Sequence, residues 1–322
     1  MKATQIIKTI IRLLLGAFFI ATAILKLITI EQFELYIYSL NVMSFVFATM
    51  AARAVIAFEF LLGAFLMLKC FYKQVWYLTM ITLIGFTFFL VYAAIFRNDA
   101  NCHCMGDLIV MKPLPSIIKN LISIILLIFI KNQTESKFRF KKWVIALLFS
   151  AAVIVPFIVF PMDILYNKMF SKSEELINEK TFEEYKQDSI FQAAFITYLD
   201  TMTYENRVDS GNYLIGFVSS GCKYCKTGNA KLHQLVSCNH IDKTKIKFVI
   251  FGDSTATKTF QEETETSEYQ YIIMKHDAEN FYKFLEITNG SFPKYLYMEN
   301  GKMTKAVTAQ GFNEDEIKTK LQ

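Results

Sequence analysis

Five apolar stretches, at residues 6–30, 54–68, 75–96, 117–130 and 143–166, limit what this chain can fold into more than any other feature. A helix needs about 20 apolar residues to cross the hydrocarbon core of a bilayer, and each stretch approaches that length. The second and fourth are short, and the semi-polar flanks at 44–52 and 110–115 are expected to extend them or to lie in the interface. These runs are longer and more uniformly apolar than the one-sided stripes of soluble core helices, so membrane helices are expected. With 53% hydrophobic residues and 31 Phe, the chain is too apolar for an ordinary soluble protein. The first stretch follows Lys2, Lys8 and Arg12 and holds Ala21-Thr22-Ala23, as a signal peptide would, but its apolar run continues through 24–30. A retained anchor is the reading that fits that length.

Charge divides the chain in two. Up to Phe160 the net charge is +9, and beyond it −4. A basic, apolar front and a mildly acidic rear mean two domains in two solvents. The basic residues sit beside apolar segments, so membrane lipid with anionic headgroups is the expected partner and no nucleic acid is. Their placement also gives an orientation. Lys2, Lys8, Arg12, Lys69, Lys73, Lys131, Lys137, Arg139, Lys141 and Lys142 fall in alternate connections, which the positive-inside rule assigns to the cytoplasm. The N-terminus is then cytoplasmic. Five spans in the inner membrane of a bacterium put residues 167–322 in the periplasm, and the 97–116 connection faces the same side.

That connection holds Asn101-Cys102-His103-Cys104-Met105-Gly106-Asp107. A disulfide between cysteines one residue apart is forced out of relaxed geometry, and strained disulfides are readily reduced. A second pair, Cys222-Lys223-Tyr224-Cys225, lies in the rear half. The two remaining cysteines stand alone: Cys70 is expected to be an ordinary cytoplasmic thiol and Cys238 a buried one. Two pairs predicted on one side of the membrane, in an oxidising compartment, are expected to exchange electrons.

Past residue 166 comes a charge-rich connector at 167–188, then an amphipathic pattern at 181–203. From 212 the sequence alternates strand and helix. Strands are expected at 213–218, 245–251, 269–274, 294–298 and 303–310, and helices at 222–235, 280–285 and 313–321. The expected domains are therefore a membrane bundle at 1–132, a fifth span at 133–166, a connector at 167–211 and an α/β domain at 212–322. A helix N-terminus carries unpaired N–H groups and positive potential, which favours a thiolate there. Cys222 would attack and Cys225 resolve, with Lys223 adding positive charge.

The strand, the Cys222-x-x-Cys225 pair opening a helix, and Ser291-Phe292-Pro293 before a later strand together resemble the thioredoxin fold over residues 212–322. The resemblance implies that Pro293 follows a cis peptide bond and packs against the redox pair. Gly221 stands where many thioredoxins have Trp, and Phe292 where Thr or Val is common, which leaves the substrate open. A passive disulfide, or a zinc site completed by His233, Cys238 and His240, is the competing reading of the pair.

The front half resembles the DoxX-like family that includes the methylamine utilisation protein MauE. The residues carrying this are Arg12-Leu13-Leu14-Leu15-Gly16 with Lys26, Glu59 with Gly63, and the Cys102-x-Cys104-x-Gly106 skeleton. The family loop is closer to Cys-Gly-Cys-Phe-Gly, from which His103 and Met105 depart. The resemblance implies a four-helix membrane bundle over 6–130, and an association with disulfide formation in exported proteins.

Three charges fall inside the apolar stretches. Arg12 and Arg53 are expected to snorkel to the interfaces. Glu59 is expected either as a protonated structural residue or as a proton acceptor beside a buried redox centre. The resulting expectation is a membrane-bound thiol–disulfide oxidoreductase. Cys222 and Cys225 would exchange disulfides with exported thiol proteins and relay electrons to Cys102 and Cys104. A quinone in the bundle, with Glu59 as its proton partner, is carried as the terminal acceptor although no motif speaks for it. An outward-directed reductase is the enzymatic alternative. A copper-binding membrane protein using Cys102, His103, Cys104 and Met105 is the non-enzymatic one, and a static loop disulfide the plainest.

Overall fold

The computed structural model describes residues 2–97, 101–106, 108–131, 133–135, 141–162, 208, 210–274 and 292–321. Two compact units divide it, Met1–Pro161 and Met162–Gln322.

In the first unit the apolar stretches are helices, the conformation that satisfies every backbone polar group within the segment. They are α1 (Lys2–Ile28), α2 (Ile30–Tyr38), α3 (Phe45–Leu68), α4 (Tyr72–Tyr92, continued by a π-turn Ala93–Arg97), α5 (Pro113–Phe129) and α6 (Lys141–Val159). Four segments are long and apolar enough to cross a membrane: Thr4–Ile28, Phe45–Leu68, Tyr72–Arg97 and Lys142–Val159. α5 is also apolar but has 17 residues. The semi-polar flank before residue 54 is helical and extends the second stretch, as expected. The short helix α2 was not anticipated, because Glu31 and Glu34 interrupt its apolar pattern.

The unit is organised on the seam between α1 and α3. A Cβ on Gly16 would lie 2.8 Å from the Gly63 carbonyl oxygen, and one on Gly63 would lie 2.6 Å from that of Gly16. With no side chain at either position the two backbones touch, as small residues allow between membrane helices. This crossing sets the register of the charges around it. Lys26 meets Glu59 at 2.7 and 2.9 Å, with Thr22 Oγ1 3.5 Å from the same carboxylate. At the other end Arg12 donates to the carbonyls of Leu66, at 2.8 Å, and Met67, the unsatisfied end of α3. Arg53 pairs with Glu34 and donates to the carbonyls of Thr49 and Phe160, at 3.0 and 2.7 Å.

The expectation that Arg12 and Arg53 snorkel is therefore overturned. Both are buried, at 5% and 3% exposure. A charge in the membrane interior is tolerated where protein groups replace its hydration, and these guanidinium groups have carbonyls or a carboxylate within reach. The residues that carried the family resemblance, Arg12, Gly16, Lys26, Glu59 and Gly63, are the seam itself. Outside it the helices present large apolar side chains such as Leu14, Ile81, Phe88, Ile125 and Ile158, in keeping with a lipid-facing surface.

The second unit holds a five-stranded sheet in the order β3-β2-β1-β4-β5. Its strands are β1 (Asn212–Ser219), β2 (Ile246–Phe251), β3 (Gln270–Met274), β4 (Lys294–Glu299) and β5 (Lys302–Val307), with helices α7 (Lys223–Cys238), α8 (Ser254–Glu263) and α9 (Glu314–Leu321). β1, β2 and β3 are parallel, while β4 and β5 run antiparallel to their neighbours. β1 and β2 are near-continuous apolar runs, as strands covered on both faces must be. This is a thioredoxin-like α/β fold. α8 was not foreseen. Its Thr-rich sequence gives little helical pattern, and its start is fixed by Asp253, which accepts from the Ala256 N–H at 2.7 Å. The connector at 167–188, the helix at 181–203 and the helix at 280–285 lie outside the described residues.

Candidate active site

Each unit carries one cysteine pair, Cys102 with Cys104 in the first and Cys222 with Cys225 in the second, and both pairs are in the thiol form.

In the thioredoxin-like unit, β1 ends at Ser219 and the chain turns into α7. Cys222 is the N-cap of that helix, and its Sγ accepts the Cys225 N–H at 3.3 Å. A sulfur held against the first N–H groups of a helix sits where negative charge is favoured. Cys225, one turn on, is fully buried, and its Sγ lies 3.4 Å from the Ser219 N–H. Burial, reinforced by the hydrogen bond with Cys222, pushes the Cys225 thiol up. Cys222 is half-buried, whereas Lys223 and Tyr224 are exposed. The pair thus presents one accessible sulfur and conceals the other.

The Phe292–Pro293 peptide bond is cis, as the resemblance implied. Pro293 Cγ lies 3.2 Å from where a Cβ on Gly228 would stand, so it packs on α7 one turn past Cys225. The same position is 2.6 Å from the Tyr295 hydroxyl. Tyr295 is fully buried and donates to Asn229 Oδ1 at 2.9 Å. Asn229 Nδ2 in turn donates to the Tyr271 hydroxyl at 3.1 Å. Gly216 in β1 makes room for this layer, since a Cβ there would lie 2.7 Å from the Phe248 ring and 3.0 Å from that of Tyr295. The sequence reading missed Tyr295 and Asn229. Asn229 was detectable as an amide on the apolar face of α7 that also holds Cys225 and Leu232.

In the membrane unit, the Cys102 loop is fastened at several points. Asn101 Oδ1 accepts from the N–H groups of His103 and Met111, at 3.1 and 3.3 Å, and the Cys102 N–H donates to the Met111 carbonyl at 2.9 Å. Gly106 has φ +68°, and a Cβ on it would strike Thr29 Oγ1 and the Leu25 carbonyl at 2.6 and 2.7 Å. The loop therefore lies directly on the end of α1, close to Lys26. His103 adopts φ +51° and stacks on Tyr36, with ring centres 4.4 Å apart. Asp107 lies outside the described residues.

Cys102 is buried at 2% exposure, with its Sγ 2.9 Å from Ser116 Oγ on α5 and 3.4 Å from the Cys104 N–H. The hydrogen bond from the Cys104 thiol is the largest influence on it. With help from Ser116, the Cys104 N–H and the charge of Lys119, it outweighs burial and brings the Cys102 thiol down to about 6. Cys104 is the more exposed residue of the two. Its thiol is pushed up, first because it donates to Cys102 and then by burial and the negative sulfur beside it; Lys119 and Lys26 act in the opposite sense. Sequence reasoning missed Ser116 and did not connect Lys119 with the sulfurs. The signal was present: Ser116, Asn120 and Ser123 form a buried polar stripe along an otherwise apolar helix.

Glu59 is buried against Lys26, and of the two it is Lys26 whose charge acts on Cys104. Among the described residues no three His, Cys, Asp or Glu side chains converge as a metal-ligand set. His233 instead meets the Tyr269 hydroxyl at 3.2 Å, so the zinc reading gains no geometric support. Cys238 is half-buried rather than buried, because it closes α7 at its exposed end, and Cys70 is fully buried.

Residues 4–131 match the family model described as methylamine utilisation protein MauE. The chain is 25% identical to Protein TlpB of Flavobacterium psychrophilum over 346 aligned residues, covering 94% of this chain and 92% of the relative. A crystal structure of a secreted Mycobacterium tuberculosis disulfide oxidoreductase, described as homologous to E. coli DsbE, aligns over 34% of this chain and 80% of its own. That alignment has 15% identity and a TM-score of 0.26. The sheet order, the cysteine pair capping α7 and the cis bond before Pro293 stand independently of that alignment. Residues 4–131 are thus similar to the MauE family, and the second unit has a thioredoxin-like sheet with its cysteine pair at a helix start.

Proposed function

We propose that the chain is a multi-pass thiol–disulfide oxidoreductase of a bacterial inner membrane. Cys222 and Cys225 oxidise thiols of exported proteins, and the electrons pass on to Cys102 and Cys104. One observation carries this reading: each pair combines a buried cysteine with a more exposed one, and in the membrane pair the buried Cys102 has Ser116 Oγ and the Cys104 N–H against its sulfur, which suits it to depart as a thiolate. Exchange runs fastest when the departing thiol has a low pKa.

The first exchange begins when a client thiolate attacks Cys222 of the Cys222–Cys225 disulfide. Cys225 departs and takes a proton, as its buried surroundings favour. The client's second thiolate then attacks the mixed disulfide, leaving the client oxidised and the pair as a dithiol. In the second exchange the Cys222 thiolate attacks Cys104 of a Cys102–Cys104 disulfide. Cys102 departs as a thiolate into the hydrogen bonds of Ser116 and the Cys104 N–H. Cys225 then loses its proton and attacks Cys222, and Cys104 departs and is protonated. Two electrons and one proton have moved from one pair to the other, and the thiolate charge of Cys222 has been replaced by that of Cys102. The Lys/Arg asymmetry of the connections supports a periplasmic side for both pairs. Lys223 and Pro293 assist at the outer pair, Lys26 with Glu59 at the inner one.

The test is a trap. In the full chain carrying Cys225→Ala and Cys102→Ala, the mixed disulfide cannot be resolved, and a Cys222–Cys104 crosslinked peptide is expected by mass spectrometry of non-reduced membranes. Crosslinks scattered over Cys70 and Cys238, or none at all, would end the relay.

A further inference from the structure

A dithiol re-formed at Cys102 and Cys104 must lose its electrons again if the cycle is to turn. Within the described part of the membrane unit the remaining cysteine is Cys70, fully buried just past the opposite end of α3. The acceptor therefore comes from outside the chain, and the apolar surface of the helices next to this loop admits one that is soluble in lipid.

A groove of about 480 Å³ runs between α1 and α5. Its walls are apolar, with Ile11, Leu14 and Phe18 on one side and Ile118 and Ile122 on the other. Leu14, Ile118 and Ile122 are 64%, 53% and 53% exposed, so the groove opens sideways to the bilayer. Lys119 and Ser123 are the polar residues among those lining it. The Lys119 ammonium lies 5.3 Å from the centre of the Phe18 ring, inside the groove rather than out in water. One turn before Lys119 on the same helix is Ser116, whose hydroxyl is 2.9 Å from Cys102 Sγ. The cation of Lys119 acts on both sulfurs. An apolar groove thus carries a cation one helical turn from the serine that touches Cys102. Glu59, engaged by Lys26 and Thr22, is not among its lining residues, which separates the acceptor from the role expected of that carboxylate.

We propose that this groove is a quinone site, with the quinone ring beside Lys119 and its isoprenoid tail along α1 and α5 toward Ile11 and Leu126. The assignment rests on the oxidase reading above. Three requirements select the occupant: it must dissolve in the bilayer, accept two electrons and two protons, and gain from a cation as it is reduced. A quinone meets all three. In the reaction the Cys102 thiolate and the Cys104 thiol form an S–S bond and give up two electrons and one proton, and water supplies the second proton. The two carbonyl oxygens of the quinone receive both and become the hydroxyls of a quinol. Lys119 stabilises the oxyanion that develops at the nearer oxygen.

The experiment uses the full chain in phosphatidylcholine nanodiscs, with a decyl-substituted benzoquinone or naphthoquinone as probe. Ile122→Trp fills the groove from a lipid-exposed position, and Ile125→Trp, on the lipid face outside the groove, is its control. Pre-reduced wild type and Ile125→Trp are expected to reduce two equivalents of quinone, one for each cysteine pair. Ile122→Trp is expected to do so about tenfold more slowly or worse, and Lys119→Gln to be slowed in the same sense. Equal rates in Ile122→Trp and wild type overturn the site. A photoreactive quinone should label peptides of α1 and α5 and be displaced by unlabelled quinone; labelling elsewhere, or equal displacement by phosphatidylglycerol, makes the groove a lipid site and overturns the proposal. Exchange between the two cysteine pairs is followed separately by alkylation in quinone-free nanodiscs. Its failure in wild type would count against the relay, whereas its retention in Ile122→Trp isolates the loss to the groove.

Discussion

Removing the Ser116 hydroxyl should make the Cys102/Cys104 pair a weaker electron acceptor, and by an amount that depends on pH. Dithiol and disulfide states differ in that only the dithiol ionises, so a low thiol pKa stabilises the reduced form. With Cys102 at about 6 in place of an ordinary thiol's 9.0, the dithiol gains a factor of about 11 near pH 7, or roughly 1.4 kcal/mol and 30 mV. Cys104 adds almost nothing there, because a thiol pushed up and one at its ordinary value are both protonated at that pH. The sign follows from the depressed pKa: the stabilisation is present above about 6 and disappears as pH falls through that value. A hydrogen bond to a charged group is worth about 1.5–3 kcal/mol, so Ser116→Ala should raise Cys102 by about one unit at the low end. The potential then falls by about 20 mV near pH 7, and the difference closes to near zero by about pH 5. The assay equilibrates the full chain, with its other four cysteines replaced, in glutathione buffers and counts free thiols by alkylation. Ultraviolet thiolate absorbance in the same variant gives the titration directly. A potential difference of equal size at both pH values would refute the reasoning, since Ser116 would then act on loop packing and not on the thiolate.

Three further outcomes are expected. Glu59→Gln leaves Lys26 buried without its counter-ion and should cost about 3–5 kcal/mol, lowering the thermal midpoint in detergent, while Lys26→Met with Glu59→Leu should recover most of it; a double variant as unstable as the single would argue against a paired structural role. Gly63→Leu puts a side chain where 2.6 Å separates a Cβ from the Gly16 carbonyl, so it should destabilise the membrane unit by about 1–3 kcal/mol or more, read from the same melting curves; a wild-type midpoint would disprove backbone contact at the seam. Limited alkylation of the reduced chain followed by mass spectrometry should modify Cys222 well before Cys225, the fully buried sulfur; equal rates would mean that the pair is not divided into exposed and concealed members.

The sequence announced the membrane helices because lipid demands long apolar runs and leaves few alternatives. It announced the second fold through β1, Cys222, Cys225 and Pro293, where strand, cap and proline each leave a local mark. What it did not disclose is pairing across the seam. Arg12 and Arg53 look like interface residues when read along the chain, because the Leu66 carbonyl and Glu34 that hold them lie on other helices. Lys26 and Glu59 were visible separately, but only the approach of Gly16 to Gly63 brings them together. Ser116 was hidden for the opposite reason. The stripe of Ser116, Asn120 and Ser123 marks a buried face, but a serine in a helix most often bonds its own backbone, and the contact with Cys102 depends on how the 101–111 loop folds over α5. α8 was missed because Thr255, Thr257 and Thr259, alternating with Ala256 and Lys258, form no apolar stripe at helical spacing.

The account depends most on electrons passing between the two pairs, and the most direct measurement is the redox state of Cys222 and Cys225 in intact cells, with and without Cys102→Ser. Acid-quenched alkylation is expected to show the pair mainly as a disulfide in the unmodified chain and mainly as a dithiol once Cys102 is replaced. An unchanged state in the variant, or a dithiol in both, would contradict it.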